Sequence, residues 1–262
     1  MMTYGFTFKG RHCSELGVRL LRYNVHSPEL REHEDEVTGM PGAIDYGTEY
    51  GKRDIEVTID IDPDDRSFKR RQSEILSWLS PVAPADMLVF DDMPDRYFIA
   101  KMTGRLSAEQ IGSYGELRVT FKCVDPFARS LTASDAVILD SDVRLDSDIR
   151  LNDAWSFVVN SGTTARVNNW GAESLRPTIV ITGSFSTITI STGGVTFAYN
   201  AAIANKTLTI DGERETARID GVSVLQHVTG DFITLAPGDN DVVIGGAALN
   251  CTVAFVFNAK YI

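Results

Sequence analysis

Cysteine is scarce and scattered: Cys13, Cys123 and Cys251 are the only three in 262 residues. They form no CxxC pair, which excludes a disulfide framework and a zinc site and leaves them as small buried apolar residues. Long apolar runs are also missing, since nothing approaches the roughly 18–20 residues of a membrane span. The opening MMTYGFTFKG lacks the basic-then-apolar layout of a secretory signal, so synthesis and folding in a cytoplasm are expected. Positive charge is in short supply, with 25 Lys and Arg against 36 Asp and Glu, a net charge of −11. Both halves share the deficit: 17 against 22 over residues 1–130, and 8 against 14 over 131–262. Tight nonspecific binding to DNA is thereby excluded, because neutralising phosphates needs a basic surface.

Catalytic signatures are equally thin. His12, His26, His33 and His227 show no shared spacing, and His33-Glu34 begins a zinc-protease motif that fails at Val37, where the second histidine would stand. There is no P-loop, dinucleotide fingerprint or GxSxG elbow, and Gly193-Gly194 and Gly245-Gly246 fall where hairpin turns are expected. Acidic clusters remain: Asp62, Asp64 and Asp65, the pair Asp91 and Asp92, and the ladder Asp140–Asp148. Glycoside hydrolysis needs two carboxylates facing each other across a cleft, whereas neighbours on one strand face point the same way. Calcium loops of EF-hand type need a glycine and a terminal Glu that are absent. The expectation is a protein that is not an enzyme, with no catalytic residues, no cofactor and no metal.

What the chain does have is strands. Tyr4, Phe6 and Phe8 alternate, Leu16–Tyr23 reads as a second strand, and Arg53–Ile61 puts Ile55, Val57, Ile59 and Ile61 on one face. One helix is expected over 66–80, where Phe68, Gln72, Ile75, Leu76 and Leu79 make a stripe, Asp64 or Asp65 caps, and Pro81 and Pro84 close. Met87–Phe90, Tyr97–Thr103 and Leu117–Val124 follow as strands, the last two joined by a polar connection containing Gly104, Gly112 and Gly115. Ser27–Gly51 is acidic at first and then Gly-rich with aromatics, and is too long to be an ordinary connection. From the residues alone it is either an interaction arm or a mobile hairpin.

The tandem run Leu139-DSDVR, Leu145-DSDIR, Leu151-ND alternates along 139–151 and would span about 43 Å as one strand, too long for a typical sheet. It reads as a connector over 136–153 between a first domain, 1–135, and a second, 154–262. Beyond Trp155, apolar runs recur every eight to twelve residues with Asp211-Gly212, Asp220-Gly221 and Pro237-Gly238 turns and no helical stripe. This predicts a β-sandwich of the jelly-roll or galectin-like kind, and a mainly β protein overall. Trp170, in Asn168-Asn169-Trp170-Gly171, is the candidate for a glycan contact with Trp155 next. The alternative for either is a core aromatic.

The order FTFKGRHCSELGVRL, PGAIDYGTEYGKRDIEVTIDI and DMLVFDDMPDRYFIAKMTGRLSAEQIGSYGELRVTFKCVDPFA resembles the N-terminal domain of distal tail proteins of long-tailed bacteriophages. The resemblance implies a structural virion protein at the tail tip. It would be a homo-oligomeric, hexameric ring joining tail tube to tip complex, assembled in the bacterial host cytoplasm, with no membrane partner. The expected neighbours are the tail tube protein, a tail-tip or tail-associated protein, and receptor-binding proteins. DNA would pass through the lumen without specific binding. In that family the segment corresponding to 27–51 is an arm that embraces the next subunit, which makes Met40, Tyr46 and Tyr50 the candidate interface residues. A carbohydrate-binding adhesin acting through the second domain is the alternative function.

Overall fold

The computed structural model describes residues 4–39, 41–61, 68–111, 114–135 and 155–262. The chain is mainly β, and among the described residues it has one α-helix. It divides into two compact units, Met1–Ala128 with Ile262, and Arg129–Tyr261.

The first unit contains β1 (Phe6–Phe8), β2 (Arg11–His12), β3 (Val18–Val25), β4 (Leu30–Asp35), β5 (Ile44–Tyr50), β6 (Arg53–Ile61), α1 (Phe68–Trp78), β7 (Asp86–Phe90), β8 (Met93–Ile111) and β9 (Tyr114–Cys123). Seven of these strands form one antiparallel sheet in the order β2-β1-β7-β8-β9-β6-β3. Its central strands alternate, so Ile55, Val57, Ile59 and Ile61 on β6 and Leu117, Val119 and Phe121 on β9 all face one core. Helix α1 covers that face with Arg71, Ile75, Trp78 and Leu79, a helical spacing that keeps them on one stripe. Trp78 stacks on Phe6 at 5.6 Å and donates its indole N–H to the Phe8 carbonyl at 3.0 Å. Arg71 Nη1 donates to the Leu16 carbonyl at 3.0 Å.

The helix differs from its expected 66–80 stripe in membership. Arg71 and Trp78 are buried, while Leu76 is 40% exposed and lies off the stripe. The proposed caps Asp64 and Asp65 lie outside the described residues. The expected second strand starts later, because Cys13–Leu16 is a 3-10 turn ended by left-handed Gly17, and β3 begins at Val18. The polar stretch expected to connect Tyr97–Thr103 to Leu117–Val124 is itself strand. β8 and β9 pair out to Ile111 and Tyr114, with a register shift between Thr103 and Ser107. Backbone pairing continues there without apolar alternation to announce it.

The second unit is a β-sandwich. After β10 (Ala128–Ser130) come β11 (Ser156–Val159), β12 (Thr163–Asn169), β13 (Thr178–Phe185), β14 (Thr187–Thr192), β15 (Val195–Tyr199), β16 (Ile203–Asp211), β17 (Thr216–Ile219), β18 (Val222–Ser223), β19 (Val228–Gly230), β20 (Gly238–Ala247), β21 (Asn250–Val256) and β22 (Lys260–Tyr261). One sheet runs β11-β21-β13-β16-β17-β18 and the other β12-β20-β14-β15-β19. Alternate residues of both, among them Ile181, Leu208, Phe255, Ile190, Val242 and Ile244, form one core cluster. Ser130 and Ser134 belong with this unit: their hydroxyls accept from the N–H groups of Ala259 and Phe257, both at 2.9 Å. The division after Ala128 therefore falls earlier than the boundary expected after residue 135. The repeat at 139–151 lies outside the described residues.

One expectation fails locally in the sandwich, where Phe232–Leu235 contributes only an isolated bridge, Leu235 to Leu175. Gly245-Gly246 is not a turn but lies within β20. A Cβ at Gly246 would sit 2.1 Å from the Thr187 carbonyl oxygen on the paired strand.

Candidate assembly interface

β3 and β6 form a hairpin whose two strands do not stop at the sheet. Beyond Val25 and Arg53 the ladder continues through His26 N–H to Asp54 carbonyl at 3.2 Å, Glu29 N–H to Lys52 carbonyl at 2.9 Å, and Gly51 N–H to Glu29 carbonyl at 2.6 Å. It then becomes the pair β4–β5, registered Leu30 to Tyr50, Arg31 to Glu49 and Asp35 to Ile44. β9 ends at Cys123, opposite Arg53, so among the described residues β5 emerges with no strand on its other side. Segment 27–51 is thus a two-stranded ribbon, and every residue of both its strands is exposed.

A free-standing two-stranded hairpin is marginal in water and gains stability when a face is covered. Near its root this one is held by the Glu29–Lys52 ion pair at 3.1 Å and by Tyr50, whose ring meets Phe127 edge-on at 5.8 Å. Farther out, Gly47 adopts φ 107 and its N–H is accepted by Asp45 Oδ1 at 2.7 Å, a local turn that bulges β5 beside Tyr46. Tyr46 is 66% exposed and Leu30 61%. Glu49 faces His33 at 3.6 Å. Glu32, Glu34, Asp35 and Glu36 have no cationic partner among the described residues, so the ribbon carries concentrated negative charge. Of the expected interface residues, Tyr46 projects freely, Tyr50 is partly engaged at the root, and Met40 lies outside the described residues.

Trp170 is half-buried at the edge of the sandwich core, with its ring centroid 5.1 Å from Phe257 and 6.0 Å from the buried Trp155. Its indole nitrogen is buried. One arrangement carried no sequence signal. His12 Nδ1 lies 2.6 Å from Ser14 Oγ, while its Nε2 meets Asp91 Oδ2 at 3.1 Å, and Asp91 also accepts the Gly5 N–H at 2.7 Å. His12 is the N-cap of the 3-10 turn, so the run pins the β1–β2 corner to the turn after β7. No group of three or more His, Cys, Asp and Glu is placed to hold a metal ion among the described residues.

Two family models match. The phage tail protein RIFT-related domain covers residues 11–123, and the siphovirus-type tail component, C-terminal domain, covers 171–261. The chain belongs to the siphovirus distal tail protein family. Among solved structures, this distal tail protein is similar to SPP1 Dit, described as a paradigm of the hub adsorption apparatus in phages infecting Gram-positive bacteria. The likeness has a TM-score of 0.77 at 15% identity and covers all of both chains, so the fold is shared from end to end. A lesser likeness is to a chain of the phage P2 baseplate in its activated conformation with Ca, with a TM-score of 0.46 at 8% identity over all of both chains. No curated protein matches. The distal tail protein is a structural component of the phage tail.

Proposed function

We propose that this distal tail protein assembles into a closed homo-oligomeric ring, a hexamer, that joins the tail tube to the tip complex. Closed rings arise from heterologous contacts, in which one patch of a copy meets a different patch on the next. The observation that carries this reading is the ribbon of β4 and β5, every strand residue of which is exposed and which presents Tyr46, of a residue type enriched at interfaces. The tail tube protein and the tail-tip proteins are the proposed neighbours, with receptor-binding proteins docking on the outside. Assembly takes place in the host cytoplasm. No helix of the described residues is long and apolar enough to cross a membrane. The net charge of −11 suits a wall past which DNA slides, because like charges keep the duplex from adhering.

The test is removal of residues 30–48 from the full chain, followed by light scattering on a sizing column. The parent chain runs as a ring and the shortened chain as a monomer that keeps a folded, β-rich circular dichroism spectrum. An oligomer of unchanged mass after the deletion refutes the role of the ribbon.

A further inference from the structure

Positive charge is scarce in the second unit, and it is gathered in one place. Residues 131–262 hold 8 Lys and Arg. Two of these, Arg176 and Arg214, join Arg129 in lining a pocket of about 220 Å³ at one end of the β21-β13-β16 sheet. A third, Lys260, reaches Glu213 on the same lining at 3.0 Å. Thr178, registered between Asp211 and Val256, lines the pocket with the apolar Leu175 and Phe257. The turn after β16 brings Arg214 up beside Arg176. Gly212 N–H donates to the Pro177 carbonyl at 3.2 Å, and a Cβ at Gly212 would stand 2.7 Å from that oxygen, so only glycine lets the turn lie this close. Asp211 then fixes Arg214, accepting its backbone N–H on Oδ1 and its Nη1 on Oδ2, both at 3.0 Å. Arg176 Nη1 donates to Glu215, and both terminal nitrogens of Arg129 donate to Glu213, at 3.3 and 3.4 Å.

We propose that this pocket binds a phosphate group, gripped by Arg176 and Arg214 with the Thr178 hydroxyl as a further donor. The hydrogen bonds carry it. Asp211, Glu213 and Glu215 already hold N–H donors, whereas Arg176 and Arg214 each use one side-chain nitrogen, Nη1. Their Nε and Nη2 groups have no acceptor among the described residues. The pocket thus has donors to spare, which suits a ligand that only accepts. A phosphate presents oxygens on every side, and arginine meets them with a planar fork of N–H groups. Charge agrees. Four cations, Lys260 included, stand here against three carboxylates, so the site is positive within a chain of net charge −11. Glu213 responds to the same field: burial pushes its carboxyl up, yet the hydrogen bond from Lys260 and the charge of Arg129 hold it below the ordinary carboxylate range. Negative charge is therefore stabilised at this spot in spite of burial. The phosphate comes either as the free ion or on a phosphorylated small molecule.

The test uses the full chain at low ionic strength, because salt screens exposed arginines. Titration calorimetry with inorganic phosphate and with ribose 5-phosphate should show saturable binding of at least one probe, in the millimolar range or tighter. Arg176→Gln with Arg214→Gln should weaken it about tenfold or more. Both side chains are largely exposed, so the double variant should melt close to the parent. Arg166→Gln, which removes an exposed arginine paired with Asp241 on the other sheet, should leave the affinity within about twofold of the parent. Glu213→Gln takes a negative charge off the lining and should tighten binding, a direction that a merely structural role would not give. Tighter binding of ribose 5-phosphate marks a phosphate carried on a larger molecule, and equal binding marks the free ion. The assignment is overturned by no saturable heat from either probe, by equal affinity of the parent and the arginine double variant, or by acetate binding as tightly as phosphate. The cluster would then be an ion-pair network that only holds the turn.

Discussion

Glu213 sits between Lys260 Nζ at 3.0 Å and Arg129 Nη2 at 3.3 Å, in the second unit. Burial pushes its carboxyl up, but the hydrogen bond from Lys260 and the charge of Arg129 together outweigh that and hold it below the ordinary carboxylate range. A carboxyl lowered in the folded chain contributes stability that is fully present above its unfolded value, about 4.3 for Glu, and is lost as pH falls through the folded one. Glu213→Gln should therefore flatten the acid limb. Below about pH 4.3 the parent's melting temperature falls more steeply than the variant's, and parallel curves would contradict the account. Cys123 tells the opposite story at the same scale. Burial pushes its thiol up to about 12, only partly offset by the neighbouring Arg53 guanidinium, which fits an inert core residue and not a reactive one.

At the scale of elements, glycine decides where strands can touch. Gly230 ends β19 at φ 84, and a Cβ there would stand 2.1 Å from the Thr196 carbonyl oxygen on β15. Gly230→Ala should cost about 1–3 kcal/mol through backbone strain and separation of that strand pair, read as a lower urea midpoint with unchanged slope. The sequence showed some of these sites and hid others. Asp220-Gly221 joins β17 to β18 with both residues at positive φ, as its hairpin signal implies, and Gly193-Gly194 does the same between β14 and β15. Gly245-Gly246 looks identical in sequence yet lies mid-strand, because what it accommodates is a neighbouring backbone remote in the chain. Period-two runs such as Arg53–Ile61 were legible in full, since one face of the strand is buried. The outer halves of β8 and β9 and the ribbon β4–β5 were not legible as strands. The outer halves of β8 and β9 show no apolar alternation in sequence, and the ribbon has no buried face to impose one, so only its length and acidity marked it out. The 3.6-residue stripe placed α1, but Arg71 could not be foreseen in it. Its burial depends on the Leu16 carbonyl, contributed by a distant turn.

For the whole molecule, the two units differ in what completes them. The first unit's sheet ends at β3 and sends out a ribbon whose strand residues are all exposed, the surface that the proposed ring would cover. The second has a core drawn from its own two sheets and the segments between them, among them Trp155, Leu235 and Phe257. That core nonetheless depends on residues well before its first sandwich strand. Ser134 Oγ both donates to the Phe255 carbonyl and accepts from the Phe257 N–H, at 2.9 Å each. Ser130 Oγ accepts from the Ala259 N–H, and Asn258 Nδ2 donates to the Ser130 carbonyl at 2.8 Å. Removing the segment strands these buried groups, at about 1–3 kcal/mol for each one left unsatisfied. A polypeptide of residues 129–262 should therefore unfold in one cooperative step, whereas one of 154–262 should unfold at a clearly lower urea midpoint. Ser134→Ala in the longer polypeptide should reproduce part of that loss. Equal midpoints for the long and short polypeptides would show that the sandwich is complete without residues 129–135, and would move the functional boundary of the unit back to the first strand of its sheets.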